Sequence, residues 1–490
     1  MKNFKILTGI AALGLLSSCS ESFTDKDLRS NVSQQQIQEL ATSSPESLLV
    51  IAEGLEAGNY FFFNDFNTAG NGNIHDDYGQ KSIEFGLDLM SNDAVQVINH
   101  WHGNYYRYTG RQTENRITDM VWKFYYKVIF NMNSTIDLIP EDSVNPDLLY
   151  LRARATMLRG FSYFNLVRLY ANGEVGVPLY NEDTPQPGRV ATTLIKAQVL
   201  QDLTYAYNNL TGYARPSKVE VNKNVAAGLL ARYYLEYATT PAEYQLAATY
   251  AAEARSGFAL SSNTLVITDA NFDGFSQISN TEWIWGADIT AATSTIYASF
   301  FSQVGSLNPG YAGLLNVWKS GDKRLVESIS ATDKRKEWFA AAGNPYGVPQ
   351  YANLKFYDFT TFEGDYVFMR AAEMYLIEAE AKALAGDDAG ARTALFNLVS
   401  TRDAAYTLST NSGAALLSEI RKHRSIELWG EGFAFYDMKR WNTSLDRTYL
   451  GTNHASFGQV SYPAGSVKFT FQIPQLEMNN NIDITENNPF

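Results

Sequence analysis

Three stretches of the chain carry apolar residues at the period of a helix, and this periodicity constrains the fold more than any other feature. In 148–170, Leu149, Ala153, Met157, Phe161, Phe164 and Val167 recur every three or four positions, which puts them on one helix face. Two more stretches read as pairs of helices joined by a tight turn: 224–256, broken at Thr239-Thr240-Pro241, and 366–400, broken at Gly386-Asp387-Asp388. Each is near the ~34-residue length of a tetratricopeptide unit, in degenerate form. A mainly α chain is therefore predicted, with helix hairpins as its scaffold. Two stretches without helical period interrupt it, 60–116 and about 261–349. Loops of that length are functional or are ordered by the scaffold they lie on. Glu282-Trp283-Ile284-Trp285 is predicted as a short strand, with Trp283 and Trp285 as packing residues.

The N-terminus bears on cellular location. Lys2 and Lys5 precede an apolar run over 6–16, too short to cross ~30 Å of hydrocarbon, so it reads as a secretory signal. Leu16-Ser17-Ser18-Cys19 follows and resembles a bacterial lipobox. Cys19 is the only cysteine among 490 residues, so it can close no disulfide within the chain, and lipidation accounts for it. Acyl chains stabilise anchoring by ~0.8 kcal/mol per buried CH₂. The expected organisation is a removed signal over 1–18, a lipidated flexible tether over 19–36 and one binding domain over 37–490. The run after Cys19, Ser20-Glu21-Ser22-Phe23-Thr24-Asp25, resembles the acidic surface-export signals of Bacteroidetes lipoproteins. A net charge of -13 with no basic stripe argues against a nucleic-acid partner.

Four stretches then follow in order. The first runs from Trp122 to Asn133 and on to Ile139-Pro140, and the second from Arg154 to Tyr170 and on to Val177-Pro178-Leu179. The third comprises Arg370 to Glu380, Arg424 to Gly432, and Asp437 to Trp441. The last is Ile473-Pro474-Gln475-Leu476-Glu477 with Asn488-Pro489. Together, behind a lipobox, they resemble the SusD/RagB family of outer-membrane nutrient-binding lipoproteins of Bacteroidetes. The resemblance implies a SusD-like fold on the cell exterior, held to the outer membrane by lipid. It implies capture of an oligosaccharide or polysaccharide, delivery to a SusC-like TonB-dependent transporter, and no catalysis. A peptide ligand, as in the RagB branch, is the alternative, and a surface glycan hydrolase on a helical scaffold is a third reading. The chain departs from many relatives at Ala434, where they carry a basic residue. Glu373 with Glu380, and Arg424 with Glu427, stand at spacings that suit structural ion pairs between hairpins.

Catalytic motifs do not emerge. Among 52 acidic residues some carboxylate pair ~5 to 9.5 Å apart is inevitable and proves nothing. Asp76-Asp77 reads as a turn and Asp387-Asp388 as a hairpin break. Phosphate-loop, serine-elbow and zincin patterns are missing from the sequence. His100-Trp101-His102, if extended, would turn two imidazoles to one side, but no third ligand stands nearby; no metal or cofactor is expected. The binding expectation falls on Asn99, Trp101, Asn104, Tyr105, Tyr106 and Arg107, which combine flat rings with amides and a guanidinium. Trp101 with Tyr105 or Tyr106 would stack on a neutral or weakly charged oligosaccharide, with Asn99, Asn104 and Arg107 bonding its hydroxyls. The family resemblance adds Tyr297, Tyr311 and Trp318 as an opposing wall.

Overall fold

The structure, a computed structural model, describes residues 34–41, 43–181, 187–262, 274–307, 310–358 and 362–490. Cys19 and most of the expected tether lie outside the described residues. Two compact units result, one up to Ile51 and one from Ala52 to Phe490. The first holds helix α1 (Gln34–Ala41), which begins inside the stretch expected as tether, and the start of α2 (Pro45–Phe62).

In the second unit the scaffold is a succession of packed helices: α5 (Arg116–Leu138), α6 (Pro146–Tyr170), α7 (Thr192–Asn209), α8 (Lys223–Tyr237), α9 (Pro241–Ala254), α13 (Ala371–Leu384), α14 (Asp388–Val399) and α15 (Gly413–Glu427). Each packs on the next, and α9 packs directly on α13 across the intervening insertion. The sequence breaks mark real caps. Thr240 and Glu243 form a reciprocal capping box, Glu243 N donating to Thr240 Oγ1 (3.3 Å) and Thr240 N to Glu243 Oε2 (3.0 Å), and Asp387 Oδ1 accepts from Gly390 N (2.8 Å). Such caps satisfy N–H groups that the first helical turn leaves without partners.

Two expectations need correction. Residues 366–370 are not helical: Tyr366–Arg370 is strand β4, paired antiparallel with β2 (Trp283–Ala287) from Ala287↔Tyr366 to Trp283↔Arg370. A short apolar run does not distinguish strand from helix, and the aromatic and β-branched Tyr366, Val367 and Phe368 tip it to strand. Nor is α6 buried on one face alone, since 20 of its 25 residues are buried. Its arginines look like a solvated face in sequence, but they are paired inside. Arg154 forks onto Glu56, Arg159 onto Asp202 (2.9 and 2.7 Å), and Arg152 onto the carbonyls of Ile136 and Ile139. Trp283 and Trp285 are core residues as expected, and Trp285 Nε1 donates to Val219 O (3.1 Å).

A buried ionic network fixes the second insertion to the scaffold. Glu427, on α15, accepts from Arg335 Nη1 (3.0 Å), Arg370 Nη1 (2.7 Å) and Arg402 Nη2 (3.0 Å). Glu282 bonds Arg370 and Arg402. Asp333 bonds Arg335, and Glu431 bonds Arg370 and Lys355. Burial alone would raise the Glu427 carboxyl, but the charges of Arg402, Arg370 and Arg335 hold it well below its ordinary 4.5. The ion pairs expected between hairpins do join separate elements: Glu373 with Arg232, Glu380 with Arg440, and Arg424 with Asp437.

Candidate functional site

The two insertions meet through a strand pair. Strand β1 (Ala94–Gln96) of the first runs antiparallel to β3 (Lys319–Gly321) of the second, in the register Ala94↔Gly321, Val95↔Ser320, Gln96↔Lys319. Val97 N continues it by donating to Trp318 O (3.3 Å). This stitch brings the 97–102 loop beside 311–318.

There aromatic rings from both insertions gather on a partly exposed surface. Trp101 lies 5.6 Å from His75 and 6.5 Å from Tyr311, ring centroid to centroid. Tyr311 touches His100 (5.1 Å), His75 (5.4 Å) and Tyr297 (5.8 Å), and Tyr297 continues to Phe362 (5.8 Å). The Tyr311 hydroxyl and His75 Nδ1 share a hydrogen bond. Trp101, Tyr311 and Trp318 are half-buried and Tyr297 is exposed, so ring faces remain open to a ligand.

Asp76 is the organiser of the loop. It is fully buried, and its Oδ2 accepts from His102 N (2.8 Å) and Arg116 Nη2 (2.6 Å), which ties the middle of the insertion to its end. Burial alone would raise this carboxyl; the Arg116 hydrogen bond holds it below the usual range. The Arg116 guanidinium in turn sits 5.9 Å from the Trp101 ring.

Tyr105 and Tyr106 do not belong to this surface. Both are fully buried in a helical turn, α4 (Gly103–Tyr106), that follows His102. Tyr105 fits because Gly86 has no Cβ: one there would stand 2.4 Å from the Tyr105 ring. Tyr106 is clamped between Gly458, where a Cβ would come within 1.9 Å, and the Arg447 guanidinium at 4.5 Å. Its hydroxyl bonds His454 Nδ1 (2.7 Å), and burial pushes it up to about 12. The rings that do lie together on the partly exposed surface are Trp101, Tyr311 and Tyr297.

Asn99, Asn104 and Arg107 form one cluster, with Arg107 Nη1 donating to Asn99 Oδ1 (2.7 Å) and Nη2 to Asn104 Oδ1 (2.8 Å). The amide oxygens are thereby engaged, which leaves the amide N–H₂ groups as donors. His102 is buried in left-handed backbone (φ 68) with Nε2 on Tyr78 Oη (3.2 Å). The extended pair of imidazoles does not form, and no metal-holding group of three His, Cys, Asp or Glu occurs among the described residues. His75, Arg116 and Gln303 were not singled out in the sequence, although three of the five histidines crowd into this one insertion. Two further grooves, of about 830 and 520 Å³, meet at Thr332, Asp333 and Ala405 and lie apart from the aromatic surface.

Known proteins were compared with the chain. A family profile described as starch-binding associating with outer membrane matches residues 72–235, and the SusD family profile matches 316–490. Tyr297 and Tyr311 fall between the two. Among solved structures, a SusD-like carbohydrate-binding protein from Bacteroides vulgatus superposes with a TM-score of 0.75 at 24% identity, covering 89% of this chain and 97% of its own. A SusD superfamily protein from Bacteroides thetaiotaomicron gives 0.72 at 22%, covering 90% and 100%. A laminarin-binding SusD-like protein gives 0.64 at 19%, covering 89% and 98%. No curated protein matches. With a mainly helical fold shared across these structures and two profiles of one kind at both ends of the domain, the chain belongs to the SusD/RagB family.

Proposed function

We propose that this protein is a lipid-anchored, outward-facing outer-membrane protein that captures oligosaccharide and delivers it to a SusC-like TonB-dependent transporter. One observation carries the binding half: Trp101, Tyr311 and Tyr297, supplied by two separate insertions, converge on one accessible aromatic surface. Ring faces of this kind stack on the apolar faces of pyranoses, and the Asn99 and Asn104 amides at the rim donate to hydroxyls. Such contacts suffice for capture, which is the activity proposed. Among the described residues no helix is long and apolar enough to cross a membrane; the Leu16-Ser17-Ser18-Cys19 run is what supports anchoring by lipid at Cys19.

The test is calorimetric titration of oligosaccharides and oligopeptides into the parent and Trp101→Ala. Removing the indole is expected to cost on the order of 1 to 3 kcal/mol of sugar binding, with the melting temperature unchanged because Trp101 is only half-buried. A folded Trp101→Ala protein that binds as tightly as the parent overturns the assignment of the site, and exclusive binding of peptides overturns the ligand class.

A further inference from the structure

We propose that the glycan taken by this surface is acidic, bearing carboxylates or sulfate esters on its sugar rings. The proposal rests on the oligosaccharide reading above and goes beyond the neutral or weakly charged ligand that the sequence suggested. The chain as a whole carries a net charge of -13, yet Arg107, tied to the aromatic loop through Asn99, stands without a counter-charge among the described residues.

Arg107 is partly exposed, and both of its guanidinium contacts go to neutral amide oxygens, those of Asn99 and Asn104. Among the described residues no carboxylate lies within ion-pair distance of it. Asn99 adjoins His100, whose ring packs on Tyr311, so this charge sits on the rim of the stacking surface. Lys319 follows Trp318 and is fully buried, its ammonium donating only to the carbonyls of Gln303 (3.0 Å) and Val317 (3.1 Å). The third proton has no acceptor among the described residues. Burial pushes this ammonium down to about 7, and the opposing charge of Asp76 only partly offsets the effect. That aspartate is already bridged to Arg116. Two neighbouring carboxylates are engaged elsewhere. Asp77 faces the 68–69 turn through Thr68 Oγ1 (2.6 Å) and Ala69 N (3.1 Å), and Asp119 pairs with Lys123 (2.7 Å).

An anionic substituent on a sugar stacked at Trp101 would supply the missing counter-charge to Arg107, while Lys319, enclosed beneath the surface, adds positive potential without touching the ligand. Arg107 offers a planar fork that matches carboxylate or sulfate. A neutral sugar gains the stacking but leaves the Arg107 charge as it is.

Titration of the purified chain with a neutral laminari-oligosaccharide, an oligogalacturonate and a sulfated oligosaccharide, each at low and high salt, tests the inference. An acidic oligomer should bind about tenfold or more tightly than the neutral one at low salt, and the advantage should shrink at high salt. Whether the carboxylate or the sulfate arm gains tells the two sources apart. Arg107→Gln, which keeps a donor but removes the charge, should lower acidic-oligomer affinity about tenfold more than neutral-oligomer affinity. Neutral binding equal to or tighter than acidic, and lost in Trp101→Ala, overturns the charge inference while oligosaccharide capture stands. Failure of all three to bind, or binding indifferent to Trp101→Ala, overturns both.

Discussion

Glu427→Gln tests whether the buried network holds the second insertion in place. The network contains four cations, Arg335, Lys355, Arg370 and Arg402, and four anions, Glu282, Asp333, Glu427 and Glu431, all nearly inaccessible to water. Glutamine keeps the shape but removes one charge, leaving one net positive charge in a dry interior. Its amide N–H₂ also points at a guanidinium where an oxygen had accepted from Arg370 at 2.7 Å or from Arg402 at 3.0 Å. Removing one partner from a buried ion cluster costs about 3 to 5 kcal/mol, and urea unfolding of the parent and the variant should show that difference at neutral pH. The pH dependence follows from the depressed Glu427 carboxyl. A group whose folded value lies below its unfolded 4.5 contributes stability that is complete above 4.5 and is lost as pH falls toward the folded value. The gap between parent and variant should therefore be constant from neutral pH down to about 4.5 and then close by about 1.4 kcal/mol per unit. A difference under about 1 kcal/mol at neutral pH, or a gap that stays flat well below pH 4, refutes the reasoning.

Gly458→Ala would set a methyl against the Tyr106 ring, where a Cβ stands 1.9 Å away; a stability loss of about 1 to 3 kcal/mol is expected by thermal unfolding, and an unchanged melting temperature would show that Tyr106 is not clamped there. Asp76→Asn removes the pair with Arg116 and should cost about 1 to 3 kcal/mol at neutral pH. Because Asp76 is depressed below its ordinary 3.8 in the fold, that cost should fade as pH drops below 3.8, and a pH-independent cost would contradict it. Cys19→Ala should leave the body folded but move it from the membrane to the soluble fraction, and retention on membranes without the transporter counts against lipid anchoring. In detergent the parent should co-purify with a large β-barrel protein, and recovery of free monomer alone argues against delivery.

Much of the scaffold was legible because its signals are local. Thr240 and Asp387 could be read as breaks since a cap depends on residues within one turn. The burial of the other faces of α6 was not legible, because Arg152, Arg154 and Arg159 find their partners Ile136, Glu56 and Asp202 elsewhere in the chain. The site divides in the same way. An aromatic-rich loop around Trp101 stands out in composition, but the burial of Tyr105 and Tyr106 is decided by the missing Cβ atoms of Gly86 and Gly458, one of them some 350 residues away. The role of Asp76 was hidden behind a plausible turn, since nothing in the run Asp76-Asp77-Tyr78-Gly79 points to Arg116.

The pairing of Ala94 with Gly321 has a kinetic consequence. Closing a loop of about 225 residues costs roughly 5 kcal/mol of chain entropy beyond a constant, while helices such as α8 and α9 close within a few residues. The C-terminal segment adds contacts of even longer range, with Arg111 Nε donating to Thr470 O and Phe471 N to Leu169 O, both at 2.8 Å. Helix hairpins should thus form early during refolding, and the aromatic surface should be assembled only in the slowest phase. A refolding intermediate with nearly full helical signal would be unable to hold ligand, so ligand-detected recovery should lag behind recovery of helix.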